Sequence, residues 1–197
     1  SPVGPAYMVY ELGGQVTNGN TVVEVPYDNF GLFEINVLNG VANLDYFINN
    51  TPGPKVVFGH SLGAIVAYRW LKDYGPTSTV PPSDLSFVCI GNPPNKFTGI
   101  LAWDRQIGVG PESDLIIGDN TPPADTPYAV TDFVRQYDGW ADFPNVPTSP
   151  YFALALVNAG VGIGMPLVHV DYVDNRLDDP NNRTYTEGNF TYIWSPT

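Results

Sequence analysis

The chain is poor in cysteine, with one residue, Cys89, among 197. A single thiol excludes an internal disulfide and any metal site built from several cysteine ligands. Because Cys89 lies within the apolar run of residues 85–90, we expect a small buried side chain rather than a reactive one. No apolar run approaches the ~20 residues that a membrane-spanning helix needs, so the sequence predicts no transmembrane segment.

Basic residues are also scarce, since 8 Lys and Arg stand against 20 Asp and Glu, for a formal net charge of −12 at pH 7. A field of that sign repels a phosphate backbone, so we predict no nucleic-acid partner. Hydrophobic residues make up 43% of the chain, a proportion typical of a globular fold. We interpret residues 1–197 as a single domain. The chain begins with Ser1 rather than Met, as a processed form or an excised domain would.

Short apolar runs alternate with stretches of helical periodicity along the chain. The predicted strands are residues 6–12, 21–26, 55–58, 85–90 and 128–137, the predicted helices are 33–49, 62–74 and 151–161, and residues 184–192 are expected to form a hairpin. Strands that are apolar throughout and alternate with helices predict a mostly parallel central sheet with helices on both faces. The fold class is therefore α/β, and active sites of such sheets lie at the carboxyl ends of the strands.

A Gly-His-Ser-Leu-Gly sequence occupies residues 59–63, between a predicted buried strand and a predicted helix. In a strand–turn–helix of this kind the serine hydroxyl projects from the sheet, and the glycines avoid collisions with the neighbouring strand and helix. The N–H of Leu62 then lies at a helix N terminus, where it can stabilise an oxyanion. We therefore predict an α/β-hydrolase in which Ser61 is the nucleophile and Leu62 contributes to the oxyanion hole.

A nucleophilic serine needs a base, and the chain contains only two histidines. His60 is adjacent to Ser61, and we expect its side chain to point away from the hydroxyl and to pack or hydrogen-bond beside the site. His169 comes late in the chain, in agreement with the order serine, acid, histidine found in α/β-hydrolases. We therefore predict that His169 is the general base.

Two aspartates near the end of the strand predicted at residues 128–137 are candidates for the acid that orients this histidine. We favour Asp142, because residues 139–141 can form a turn that brings its carboxylate back toward His169. Asp138 is the alternative, although a carboxylate at a strand end can instead cap the turn through nearby backbone N–H groups.

A second oxyanion donor usually comes from the loop after an early strand. The only glycine-rich turn so placed is residues 12–15, so we expect the N–H or the side chain of Gln15 to serve; a plain turn is the alternative. The irregular residues 97–127 are expected to form either a lid over the substrate or simple surface.

Four segments, in order, carry a resemblance to a known family: GHSLGA at residues 59–64, GNPPN at 91–95, YDGWADFP at 137–144 and VHVDY at 168–172. With them the chain resembles the PE-PPE C-terminal domain of mycobacterial proteins, a serine α/β-hydrolase family similar to cutinases. Many lipases share GHSLGA, whereas YDGWADFP followed by VHxxY is more specific. The resemblance implies esterase or lipase activity on acyl esters and a location that is extracellular, in the cell envelope or on a virion. The Gly-Gly-Gln turn departs from the Gly-Thr turn expected in the family, and cutinases usually carry disulfides.

The predicted function is thus a serine esterase that needs no metal and no organic cofactor and that acts on an acyl-ester or lipid substrate. An acyltransferase would form the same acyl-enzyme but pass the acyl group to an alcohol. A non-catalytic binding or structural module of hydrolase fold, on a virion or cell surface, is the alternative from another class. The complete set of serine, histidine and aspartate argues against that module, since a structural role does not need all three.

Overall fold

A computed structural model describes residues 5–27, 33–102, 121–143, 150, 153, 157, 160–161 and 167–197. Its centre is a sheet of five strands in the order β1-β2-β3-β5-β4. The strands are β1 (Lys55–His60), β2 (Leu85–Ile90), β3 (Ala129–Arg135), β4 (Arg183–Glu187) and β5 (Phe190–Ser195). All neighbours pair in parallel except β4, which pairs antiparallel with β5 as a hairpin. The mostly parallel sheet of an α/β fold is confirmed.

Four helices have both ends in the described ranges: α1 (Pro5–Met8), α2 (Phe33–Asn50), α3 (Leu62–Asp73) and α4 (Leu167–Val170). Residues 100–102 are also helical. Short 3-10 turns cover Glu11–Gly14, Gly75–Thr77 and Pro82–Asp84. Helix α3 packs against β1 and β2, and α2 packs on α3. The apolar faces of these elements form the larger core, around the buried side chains of Trp70, Tyr68 and Phe87. Among the described residues, no helix is long and apolar enough to cross a membrane.

The opposite face of the sheet is covered differently in the part of the chain that is described. There a second core cluster joins one side chain of each strand β2, β3 and β5 to Leu12 of the N-terminal turn and to Tyr172, which follows α4. Both of these covering side chains are fully buried. The N-terminal turn and the segment after α4 therefore shield this face close to the carboxyl ends of the strands.

Most predicted elements are confirmed, with ends that move by one to three residues. Two predicted strands are wrong. Residues 6–12 form α1 and the start of a 3-10 turn, and residues 21–26 have no regular structure. Both have a local preference for strand, but a strand also needs a pairing partner, and the side chains of Val22 and Val23 are exposed. Of the helix predicted at residues 151–161, positions 153, 157, 160 and 161 are helical, and the rest lies outside the described residues, as does most of the segment 97–127.

Candidate active site

Ser61 lies on a sharp elbow between β1 and α3. Its backbone has φ 54° and ψ −115°, in a region that residues with a side chain rarely adopt. The conformation is held on both sides, because the N–H of Ser61 donates to the carbonyl of Ile90 at 3.1 Å and the Ser61 carbonyl accepts from the first turn of α3. A Cβ added at Gly59 would lie 2.5 Å from the carbonyl oxygen of Gly63, so only glycine fits at this position. The elbow predicted from the sequence is present.

Helix α4 brings the predicted base to this elbow. Nε2 of His169 lies 2.8 Å from Oγ of Ser61, and the residue is buried. His60, although adjacent to the serine in the chain, turns its ring the other way, and its Nε2 lies 2.6 Å from the carbonyl oxygen of His169. A carbonyl only accepts, so Nε2 of His60 carries the proton. Burial, with the neighbouring His169, lowers the pKa of His60 to about 3, which keeps its ring neutral.

The carboxylate beside the base is that of Asp138, and the expectation that Asp142 would occupy this place is wrong. Nδ1 of His169 lies 2.8 Å and 2.9 Å from the two carboxylate oxygens of Asp138. The carboxylate of Asp142 instead accepts from the backbone N–H of Tyr137 at 2.9 Å and from the indole of Trp194 at 3.2 Å. The reason is the turn after β3, which already begins at Tyr137 with φ 69°. It directs Asp138 inward and places Asp142 on its far side.

The Asp138 carboxylate is fully buried and well supplied with donors. Besides His169, it accepts hydrogen bonds from the Tyr172 hydroxyl at 2.5 Å and from the N–H groups of Trp140 and Ala141 at 3.0 Å and 3.3 Å. Burial alone raises the pKa of Asp138, but the hydrogen bond and the charge of His169, then the bonds from Tyr172 and Trp140, outweigh it and lower the pKa. The carboxylate is therefore ionised and can stabilise a protonated imidazole.

The two residues predicted for the oxyanion hole differ in outcome. Leu62 begins α3 directly after the serine, at the helix N terminus, where an N–H group lacks the carbonyl four residues earlier in the helix. Its role in the oxyanion hole stays a prediction. For Gln15 the structure contradicts the expectation, because its hydrogen-bonding groups are used elsewhere. Its backbone N–H donates to Leu12, its amide nitrogen lies 2.7 Å from Asp178, and its amide oxygen accepts from the N–H of Leu177. The glycine turn packs on the segment after His169 instead.

Two residues of this site were given no role by the sequence reasoning. Tyr172 is the last residue of the VHVDY segment, and its place in that segment is the sequence feature that could have indicated a role at the site. Gly91 follows β2 with φ +54°, and a Cβ there would lie 3.0 Å from the ring of His60 and 3.2 Å from the carboxylate of Asp138. Within the described ranges, no three His, Cys, Asp or Glu side chains are grouped as metal ligands.

The chain matches the family model of the PE-PPE domain over residues 18–194. It is similar to Esterase PE16 of Mycobacterium tuberculosis, with 45% identity over 112 residues, which are 55% of this chain and 20% of that protein. Two further relatives from the same organism are SL1278 acyltransferase Chp1, with 34% identity over 61% of this chain and 29% of the relative, and Diacyltrehalose acyltransferase Chp2, with 28% identity over 64% and 35%.

The chain thus spans only 20% to 35% of the length of these three relatives. No solved structure matches it significantly. The family match covers nearly the whole chain, and the relatives include an esterase and two acyltransferases, so hydrolase or acyl-transfer chemistry in general is supported. The chain belongs to the PE-PPE domain family.

Proposed function

We propose that this protein is a serine esterase that cleaves acyl esters through an acyl-enzyme on Ser61, with His169 as general base and Asp138 as the acid. The observation that carries the proposal is the continuous hydrogen-bonded series from Oγ of Ser61 through both ring nitrogens of His169 to the Asp138 carboxylate. The 2.8 Å between Oγ of Ser61 and Nε2 of His169 is within the range that proton transfer from serine to imidazole requires.

The geometry supports a two-step reaction. Nε2 of His169 takes the proton of Ser61 as Oγ bonds to the ester carbonyl carbon, and the charge on the carbonyl oxygen is stabilised by the N–H of Leu62. The imidazolium, stabilised by Asp138, then gives its proton to the alcohol that leaves, and the acyl group remains on Ser61. Water, deprotonated by the same nitrogen, attacks this ester, and the acid is released as Ser61 recovers its proton.

The experiment that tests this proposal combines a short-chain chromogenic ester with a serine-directed phosphonate probe. We expect the wild type to hydrolyse the ester and to be labelled once, at Ser61. Ser61→Ala should lose label and at least ~10⁴-fold in kcat. Ser195→Ala is the control, since Ser195 is a buried serine whose hydroxyl accepts from the Asn175 amide and does not contact the site. A Ser61→Ala protein that keeps wild-type turnover would show that this serine is not the nucleophile.

The second candidate function is acyl transfer, and it is favoured by the two relatives whose names state acyltransferase activity. It uses the same acyl-enzyme, with an alcohol in place of water as the final acceptor. The two functions are separated by adding a polyol acceptor to the chromogenic assay and measuring products by mass spectrometry. If the acylated polyol exceeds the free acid at millimolar acceptor, the protein is a transferase; if the free acid dominates at every acceptor concentration, it is an esterase.

A further inference from the structure

Tyr172 is a fully buried side chain whose hydroxyl contacts the proposed acid directly. The hydroxyl donates to Oδ2 of Asp138 at 2.5 Å and accepts from the backbone N–H of Arg135 at 3.4 Å. Its ring lies against those of His60 and Phe133, with centroids 5.8 Å and 6.0 Å away. The ring is thus held by packing, and the hydroxyl is directed at one oxygen of the carboxylate.

The backbone of Tyr172 is held in turn by the N-terminal turn, residues 11–13, which we call the N-terminal clip. Oε2 of Glu11 accepts from the N–H of Tyr172 at 2.8 Å, and the N–H of Leu12 donates to the Tyr172 carbonyl at 3.0 Å. The N–H of Gly13 donates to the carbonyl of Val173 at 2.9 Å. Three consecutive residues of the clip therefore bind two consecutive residues that follow α4.

The clip needs an unusual backbone and buries a carboxyl group. Leu12 and Gly13 both have positive φ, 52° and 59°, which is costly for a leucine. Glu11 is fully buried, and burial, only partly opposed by the hydrogen bond from Tyr172, raises its pKa to about 7. The positive φ angles and the buried carboxyl group both destabilise the fold locally. Both belong to the residues whose hydrogen bonds hold the backbone of Tyr172.

We propose that Tyr172 is a positioning residue of the active site, whose hydroxyl fixes the orientation of the Asp138 carboxylate toward His169, and that the N-terminal clip fixes Tyr172. This inference rests on the proposed function. Nδ1 of His169 contacts both oxygens of Asp138, and the N–H groups of Trp140 and Ala141 hold only Oδ1. Tyr172 therefore supplies the bond, besides that of the base itself, that holds Oδ2 against rotation. The bond also withdraws negative charge from Oδ2, which lies 2.9 Å from Nδ1 of His169.

Tyr172→Phe tests the hydroxyl while it keeps the ring. We expect kcat to fall by about 10-fold with KM within about twofold, because the loss concerns the orientation of the acid and not substrate binding. The acid limb of the kcat/KM profile should move upward by about 0.5 pH unit, since a carboxylate with one donor fewer favours the protonated imidazole. The charged groups near the hydroxyl are Asp138 and Arg135. The ring of His60 lies beside the Tyr172 ring, and His169 contacts the same Asp138 carboxylate; the variant leaves all four groups in place.

Tyr128→Phe is the matched control, since Tyr128 is equally buried and its hydroxyl also donates one bond, to the carbonyl of Val80 at 3.0 Å. It should lower the melting temperature but leave kcat and the pH profile as in the wild type. The role of the clip is tested by Glu11→Ala, which should lower kcat as Tyr172→Phe does. Glu11→Gln retains an oxygen for the Tyr172 N–H and should recover most of that loss.

A readout independent of turnover separates this inference from the proposed function. The Nδ1 proton of His169, which bonds to Asp138, should give a downfield NMR signal that shifts in Tyr172→Phe and not in Tyr128→Phe. If Ser61→Ala is inactive but Tyr172→Phe keeps the wild-type kcat, pH profile and proton signal, the positioning role is overturned alone. If no variant or wild type turns over esters, the function fails, and the proton signal still decides the positioning role.

Discussion

Two fully buried aspartates lie six residues apart in this protein, and their environments shift their pKa values in opposite directions. Asp132 lies in the middle of β3, whereas Asp138 lies in the turn beyond the end of that strand. Burial raises the pKa of Asp132 to about 6, and the neighbouring polar side chains of Tyr68, Asn92 and Asn95 only partly oppose this rise. For Asp138 the donors and the charge of His169 outweigh burial and lower the pKa.

The difference comes from the backbone as much as from the side chains. Asp132 is paired in the sheet with Cys89 on one side and Tyr192 on the other. The backbone N–H and C=O groups around it are therefore used in hydrogen bonds between strands. Its Oδ2 accepts from the Tyr68 hydroxyl and from Asn92, while its Oδ1 has no hydrogen-bond partner in the described part of the chain. Beyond the strand, backbone N–H groups of the turn are available to Asp138. A buried carboxylate with a lowered pKa therefore fits at the strand end, where backbone N–H donors and the imidazole of His169 meet.

The largest effect that this comparison predicts is on catalysis. Asp138→Asn should lower kcat by about 10³- to 10⁴-fold, because an amide cannot stabilise the protonated imidazole of His169. Asp132→Asn changes a carboxyl that does not contact the base and should leave kcat within about tenfold of the wild type. Turnover of a chromogenic ester by both variants, with melting curves to show that each is folded, checks the expectation.

Asp142→Asn is the sharper control, because Asp142 lies four residues from Asp138 in the same turn. Its carboxylate bonds to the N–H of Tyr137 and to Trp194, so the variant should cost stability, around 1 kcal/mol, rather than turnover. If Asp142→Asn lost as much kcat as Asp138→Asn, the assignment of the acid would be wrong.

Much of this site could be predicted because its signals are local or few. The elbow depends on glycines at fixed spacing around Ser61, where a Cβ at Gly59 has no room. His169 follows by elimination between two histidines, and each of the five strands of the sheet lies in an apolar run or a hairpin pattern. The parallel order of the strands follows from their alternation with helices.

The errors concern residues whose roles depend on the path of the backbone or on distant partners. The choice of Asp142 assumed that the turn begins at Gly139, but the chain reverses at Tyr137, a residue for which positive φ is unexpected. Gln15 was placed by analogy, whereas its partners lie more than 160 residues away, at Leu177 and Asp178. Tyr172 meets Asp138 across 34 residues, a separation that no local pattern reveals.

The second prediction concerns stability and its dependence on pH. Because the pKa of Asp132 is raised in the folded protein, its carboxyl keeps a proton there at pH values at which the unfolded chain releases it. The stabilisation of the folded state by this proton is fully present below about pH 3.8 and is lost as pH rises through about 6. The free energy of unfolding of the wild type, measured relative to Asp132→Asn, should therefore fall by about 2 to 3 kcal/mol between pH 4 and pH 7.

Urea denaturation of both proteins at several pH values gives this difference directly, because the contributions of Glu11, His60 and Asp138 are common to both proteins and cancel. Asp125→Asn, at an exposed position, is the matched control and should show no such slope. A difference between the wild type and Asp132→Asn that stays constant over this range would mean that burial does not govern this carboxyl.

The third prediction concerns His60, which lies near Asp138 and yet stays neutral because it is buried, as Asp132 does. Burial, followed by the neighbouring His169, lowers the pKa of its ring to about 3, and the nearby Asp138 opposes this only in part. We expect the ring of His60 to keep the NMR shifts of the neutral form from pH 8 down to about pH 4, with its signals assigned by their loss in His60→Gln.

The unfolded chain protonates this ring near pH 6.5, so His60 contributes stability that is present above that pH and is lost as pH falls toward 3. If the ring instead titrated near pH 6, the attraction of the Asp138 charge would outweigh the effect of burial on the pKa of His60. Burial would then not decide the charge of His60 as it decides that of Asp132.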